Sequence, residues 1–275
     1  MNKTRTLHVA AAQIHSGGPL EKTLQRVERQ VTAASAVGAD VILFSECALH
    51  GYDYDMTPES VRAVAEPVDG PHCCRILDMA QRHRITVLIG FLERNGDAVH
   101  NSILIARPEG TLETARKHLL TDGEVAARLT PAPRERTIVE LNGVRCAIII
   151  CADGGIEGLH EELHAAGVDY RFCPTGGGGK IDDMLHEEDL LTPEGRSRHI
   201  DNRPRVFKTE AILDDKECPT TGFTSANALG PVGHQTCHQG HCMIVDNHRV
   251  MRAQIPGTIV LEHMEDQMIH ARLRF

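Results

Sequence analysis

The chain has 275 residues, 41% of them hydrophobic, and a net charge of −9 with both signs interspersed. That length and apolar content suit one large domain, and the lack of any Lys/Arg block argues against nucleic acid as a partner. Nine irregularly spaced cysteines read as reduced thiols of a cytoplasmic protein rather than a disulfide frame. Met1–Thr6 lacks the apolar core of a secretory signal. No apolar run approaches the ~20 residues of a membrane helix.

Leu7–Gln13 reads as a buried strand. Leu20 to Val37 follows as a helix, with Leu24, Val27, Val31 and Ala34 on one face and Gly38 as its stop. Asp40–Phe44 is a second strand, ending in Ser45-Glu46-Cys47 before Gly51-Tyr52 turns the chain. Residues 53–70 are polar, punctuated by Pro and Gly, and read as a surface segment. Cys74–His83 is a short amphipathic helix and Ile85–Phe91 a third strand. After a turn at Asn95-Gly96, Asn101–Ala106 is a fourth, and Pro108–Thr111 makes a hairpin-like turn. Thr114–Leu120 returns, followed by the loop Thr121–Glu124. Val144–Ile150 reads as a strand buried on both faces, broken abruptly by Cys151-Ala152-Asp153-Gly154-Gly155. A helix at Gly158–Ala166 leads into strand Val168–Cys173, closed by Pro174-Thr175-Gly176. Residues 176–199 are loop-like, with a helix allowed across 181–191. Val206–Leu213, Gly240–Val245 and Thr258–Glu262 read as further strands, with a tail from Glu265. Early strand–helix alternation followed by hairpin pairs implies an α/β fold with a mixed sheet, or two sheets, covered by helices. No linker or composition break divides residues 1–275, so a single domain is expected.

Three chemistry-bearing residues fall where strands end or return: Glu46, Lys117 and Cys151. Catalytic groups in α/β sheets gather at such ends. Each alone has an ordinary reading, as a hydrogen-bonded carboxylate, a surface ammonium or a small buried thiol. Together they make a coherent chemistry. A carboxylate can take the proton of a thiol held on a sharp turn, and an ammonium favours thiolate and stabilises an oxyanion. Attack on an amide or nitrile carbon then gives a covalent intermediate that water resolves.

Over nearly its whole length the sequence resembles the nitrilase superfamily, the carbon–nitrogen hydrolases with a Glu-Lys-Cys triad. The likeness rests on Ala11-Ala12-Gln13, on Gly38–Glu46 with Gly51-Tyr52, on Arg116–Leu119 and on Ile150–Asp153. Arg198–Arg203 is similar to a family helix, and Asn227–Gly230 and Gly240–Asp246 to its late strands. The resemblance implies an α-β-β-α sandwich of two mixed β-sheets flanked by helices, assembled as a homodimer or larger homo-oligomer. It implies Glu46 as general base, Cys151 as nucleophile, and Lys117 with the Ala152 backbone N–H holding the oxyanion. Glu124 sits where the family has a second Glu, with Glu135 the competing candidate. Tyr52, Ala152, Thr175 and Gly176 would line the substrate. The implied reaction is hydrolysis of a small molecule's non-peptide carbon–nitrogen bond, an amide or N-carbamoyl group, through a thioester and without metal or cofactor. A nitrilase acting on C≡N and a non-catalytic binding or regulatory member are the alternatives.

The chain departs from the family pattern beside the nucleophile. Cys151–Gly158 lacks the aromatic after Cys and the Phe-Pro-Glu, and Gly176–Gly179 stands where members often carry an aromatic. A segment without side chains leaves room for a larger or more polar substrate, or is simply a flexible surface loop. Cys237-His238-Gln239-Gly240-His241-Cys242 has the residue types of a metal cluster, but half of it runs into a strand, whose alternation points neighbours apart. Gly176–Lys180 resembles a P-loop in composition only, because the Gly spacing is wrong and Ile181 replaces the needed hydroxyl residue.

Overall fold

The computed structural model describes residues 4–133, 135–206 and 221–275. Its first strands are β1 (Thr6–Gln13), β2 (Val41–Leu43), β3 (Thr86–Asn95), β4 (Ala98–Ala106) and β5 (Leu112–Arg116). They are followed by β6 (Ile138–Leu141), β7 (Val144–Ile148), β8 (Tyr170–Thr175), β9 (Gly178–Lys180) and β10 (Gly222–Asn227). The last are β11 (Leu229–Val232), β12 (Thr236–Gln239), β13 (Cys242–Val245), β14 (Met251–Ile255) and β15 (Gln267–Arg274). The helices are α1 (Leu20–Ala36), α2 (Pro58–Val64), α3 (Pro71–His83), α4 (Asp122–Ala126), α5 (Leu159–Ala165) and α6 (Pro193–Val206). One six-stranded sheet has the order β15-β1-β2-β3-β4-β5, a second has β14-β13-β10-β8-β7-β6, and β11-β12-β9 form a small third. Both large sheets are mixed on the same plan. Parallel trios, β1-β2-β3 and β7-β8-β10, are flanked by antiparallel partners.

Strand alternation explains the layering. Val9, Ala11, Val41 and Leu43 of the first sheet meet Val144, Cys146, Tyr170 and Phe172 of the second in one core. Ala10, Ala12, Ile42, Val87 and Ile89 point the other way, onto Leu24, Val27 and Val31 of α1 and Ile76 and Met79 of α3. On the far side, Ala147 and Ile149 receive Leu159 and Leu163 of α5. The order is helix, sheet, sheet, helix, the expected α-β-β-α sandwich. Strands covered on both faces keep apolar residues at both parities, which is why Leu7–Ala12 and Val144–Ile150 read as near-continuous apolar runs.

Several expectations need correction. The tail from Glu265 is instead β15, paired antiparallel with β1 from Thr6↔Arg274 to Gln13↔Gln267. It is an edge strand with His270, Arg272 and Arg274 among its side chains, so it lacks an apolar signature. The strand expected at Thr258–Glu262 is a lone bridge from Val260 to Leu185, then a single 3₁₀ turn at Leu261–His263. Its apolar character comes from Ile259 and Val260 packing into a satellite core with Met184 and Leu229. The surface segment 53–70 holds α2, capped by the Thr57 hydroxyl. The helix allowed at 181–191 is two short 3₁₀ turns, Ile181–Asp183 and Glu187–Leu191. Of the strand expected at Val206–Leu213, Val206 ends α6 and the rest lies outside the described residues. No helix among the described residues is long and apolar enough to cross a membrane. No disulfide joins the described cysteines.

Candidate active site

Glu46 lies just past β2. Phe44 N–H still bonds Leu88 O at 2.8 Å, and then Cys47 turns the chain with φ +47°. Gly90 of β3 makes that turn possible, since a Cβ there would lie 2.2 Å from Cys47 N. Lys117 extends the ladder one residue beyond β5, its N–H donating to Asn101 O at 2.9 Å. Strand alternation puts Lys117 and Asn101 on one face. Their neighbours Arg116 and Ser102 both bind Glu93 on the other, at 2.6 and 2.7 Å. Glu124 stands third in α4, where the Thr121 backbone N–H donates to its carboxylate at 2.8 Å.

The three side chains meet in the interior. Lys117 Nζ donates to Glu46 Oε1 at 2.7 Å and to Glu124 Oε2 at 2.8 Å, with all three side chains 0–1% exposed. The Tyr52 ring flanks the ammonium, its centroid 5.6 Å from Nζ, and the Tyr52 hydroxyl contacts Thr121 Oγ1 at 3.1 Å. Glu135 is exposed and takes no part in this contact set.

Cys151 is half-buried and follows β7, with φ +47°, at the start of a 3₁₀ turn, Cys151–Gly155. Asp153 holds that turn. Its buried carboxylate accepts from His118 N–H (2.9 Å) and Leu119 N–H (2.7 Å) on one oxygen and from Ile150 N–H (3.3 Å) on the other. The segment after Lys117 and the turn bearing Cys151 are thereby tied together. The thiol faces the Glu46 carboxyl and the Gly176 N–H. Glu46 Oε2 itself has no close hydrogen-bond partner among the described residues.

One ammonium serves two buried carboxylates, and that sets the electrostatics. Burial, reinforced by Glu124, lifts Glu46 above the usual carboxylate range even though Lys117 pulls the other way. Burial works against the Lys117 charge, but the two carboxylates outweigh it and raise its pKa. Burial and the Glu46 charge push the Cys151 thiol up to about 12. The resting Cys151 is therefore a thiol rather than a preformed thiolate.

The residues expected to line substrate take different positions. Tyr52 is buried against Lys117. Ala152 is half-exposed within the 3₁₀ turn. The Thr175 hydroxyl engages Asn227 Oδ1 at 3.0 Å, and its carbonyl receives the Glu46 N–H at 3.3 Å. A Cβ on Gly176 would lie 2.9 Å from Glu46 Oε2 and 3.1 Å from the Tyr52 ring. Gly176→Ala should therefore displace the Glu46 carboxyl from the thiol. A kcat loss of roughly 10–100-fold is expected for a shift below 1 Å, with Tm moved by only a few degrees. Steady-state kinetics beside a thermal melt check this; unchanged kcat would mean that the carboxyl tolerates the methyl group.

Two residues of the constellation were given no role by the sequence. Asn101 donates through Nδ2 to both Glu46 Oε1 (2.7 Å) and Glu124 Oε1 (2.6 Å). Asp153 is the other. The available signals were a polar Asn101-Ser102 pair opening an apolar run and an acid two places after the nucleophile. The Cys/His run 237–242 disperses: Cys237 packs beside Met264, Cys242 joins the inter-sheet core, and His238 bonds Tyr52 O at 2.6 Å. No three metal-binding groups gather among the described residues.

Comparison with known proteins agrees with this architecture. A hydrolase of Mycobacterium tuberculosis is 31% identical over 207 residues, covering 73% of this chain and 70% of that one. The N-carbamoylputrescine amidase of Solanum lycopersicum is 26% identical over 193 residues, covering 68% and 64%. A CN-hydrolase superfamily protein of Xanthomonas campestris shares the fold, with TM-score 0.71 at 17% identity over 97% of this chain and 90% of that one. A family model described as carbon-nitrogen hydrolase matches residues 8–189, the stretch that carries Glu46, Lys117, Glu124 and Cys151. Fold, sequence and that match agree: the chain belongs to the carbon–nitrogen hydrolase family of enzymes.

Proposed function

We propose that this enzyme hydrolyses an amide or N-carbamoyl bond of a small molecule through a thioester on Cys151. The observation that carries the reading is a buried ammonium held between two carboxylates, one of which, Glu46, faces a thiol on a strained turn. In this mechanism Glu46 takes the thiol proton as Sγ attacks the carbonyl carbon, because a thiol at about 12 does not ionise in advance. The C=O electron pair moves onto oxygen, held by Lys117 and the Ala152 N–H. Glu46 hands the proton to the leaving nitrogen, and ammonia or an amine departs as the C–N bond breaks. Water, deprotonated by Glu46, then attacks the thioester carbon, and the acid leaves as the thiol is restored. Glu124 keeps Lys117 oriented.

The absence of an aromatic after Cys151 favours an amide or carbamoyl group over a nitrile, and relatives include both an N-carbamoylputrescine amidase and an aliphatic nitrilase. The working form in this reading is a cytoplasmic homodimer or larger homo-oligomer. Ammonia release from a panel of primary amides, N-carbamoyl amines and nitriles tests the substrate class, with mass spectrometry of the protein after brief exposure. Release from amides or carbamoyl amines with an acyl adduct on Cys151 is expected. Release from nitriles alone would replace the reading with a nitrilase, and no adduct or release from any class would leave a binding protein.

A further inference from the structure

We propose that Asn101 is a positioning residue that selects which oxygen of Glu46 faces the Cys151 thiol. A carboxylate has two equivalent oxygens, and in the buried site both would be open to Lys117. Instead two donors converge on one of them: Lys117 Nζ and Asn101 Nδ2, each 2.7 Å from Glu46 Oε1. Oε2 is left without a close partner. The second hydrogen of the same amide nitrogen goes to Glu124 Oε1 at 2.6 Å, so the amide bridges both acids. Its orientation is unambiguous, because two carboxylates can only accept, and Asn101 Oδ1 in turn accepts from the Cys47 thiol at 3.5 Å. Asn101 is itself 1% exposed, and its backbone carbonyl holds Lys117 N–H at 2.9 Å, so amide and ammonium approach Glu46 from a shared frame. An amide suits the position because it supplies two donors without adding charge to a cluster whose ion pairing Lys117 provides.

The inference rests on Glu46 acting as the base for Cys151, and the test separates the two. Asn101→Leu keeps the branched side-chain skeleton and removes both donors. A hydrogen bond to the charged form favours that form. Without it Glu46 ionises at higher pH, and the acid limb of any reaction that needs Glu46⁻ moves up. The probe is iodoacetamide, with alkylation of Cys151 followed by peptide mass spectrometry against pH. The exposed Cys74 is the internal control. In Asn101→Leu the Cys151 limb should move up by about one pH unit, a roughly tenfold slower reaction on that limb, with Cys74 unchanged. If Asn101→Leu fails to fold, Asn101→Ala is held to the same expectation. An unmoved limb with a Cys151 rate within about twofold of wild type would overturn the role of Asn101. Glu46→Gln is run in parallel. Loss of the limb there supports the base, while a wild-type limb in Glu46→Gln sinks the reading of Glu46 itself, whatever Asn101 does.

Discussion

Cys151→Ala is expected to lower turnover of every substrate by about 10⁴-fold or more, the scale seen when a covalent nucleophile is lost, while the fold survives. The backbone argues for survival. Ala meets the same φ of +47° that Cys151 already tolerates, so no new strain is introduced. The thiol is half-buried at the margin of the inter-sheet core, so its loss costs only about 1 kcal/mol. Chemistry argues for the loss of turnover. The other thiol at the site, Cys47, is fully buried and donates to Asn101, and burial holds it well above the ordinary thiol range. It has neither access to substrate nor a base of its own. Rates within tenfold of wild type, measured by ammonia release, would place the nucleophile elsewhere.

Lys117→Met should be the most destabilising single change in the site, costing roughly 3–5 kcal/mol at neutral pH, as expected when one partner of a buried ion pair is removed. Methionine fills the volume, so the cost is electrostatic rather than a cavity. Glu46 and Glu124, bridged by Asn101 Nδ2 through their Oε1 atoms, lose their only shared cation among the described residues. Glu46 is already raised by burial and by Glu124, and without Lys117 it rises further. A group whose folded pKa lies above its unfolded value adds stability below the unfolded pKa and loses it as pH climbs through the folded one. The variant should therefore be closest to wild type near pH 4–5 and fall behind it steadily toward pH 8. Urea denaturation at those two ends checks the sign. A deficit that does not depend on pH would mean that the carboxylates find other partners, and turnover should be lost in either case.

Much of the architecture could be read from residue order, because the signals are local. The stripe of Leu24, Val27 and Val31 with Gly38 behind it specifies α1. Apolar residues at both parities in Leu7–Ala12 and Val144–Ile150 announce sheets covered on both sides. Gly after Cys151-Ala152-Asp153 announces the turn that bears the nucleophile. Short strands with polar faces, such as Thr236–Gln239 and Met251–Ile255, carry no comparable pattern and were invisible.

Local order also nominated Glu46, Lys117 and Cys151, since each residue type suits the chemistry, and the family resemblance added Glu124. Nothing in the chain's periodicity could place Lys117 against Glu46, 71 positions away, or lay β15 beside β1 across the whole length of the polymer. Both contacts are made by elements of one sheet, ordered β15-β1-β2-β3-β4-β5, and the second sheet stacked on it adds Cys151 from the end of β7. Asn101 and Asp153 became legible only there, because a hydrogen bond has a direction and a length, and both are properties of neighbours in space rather than of neighbours in sequence.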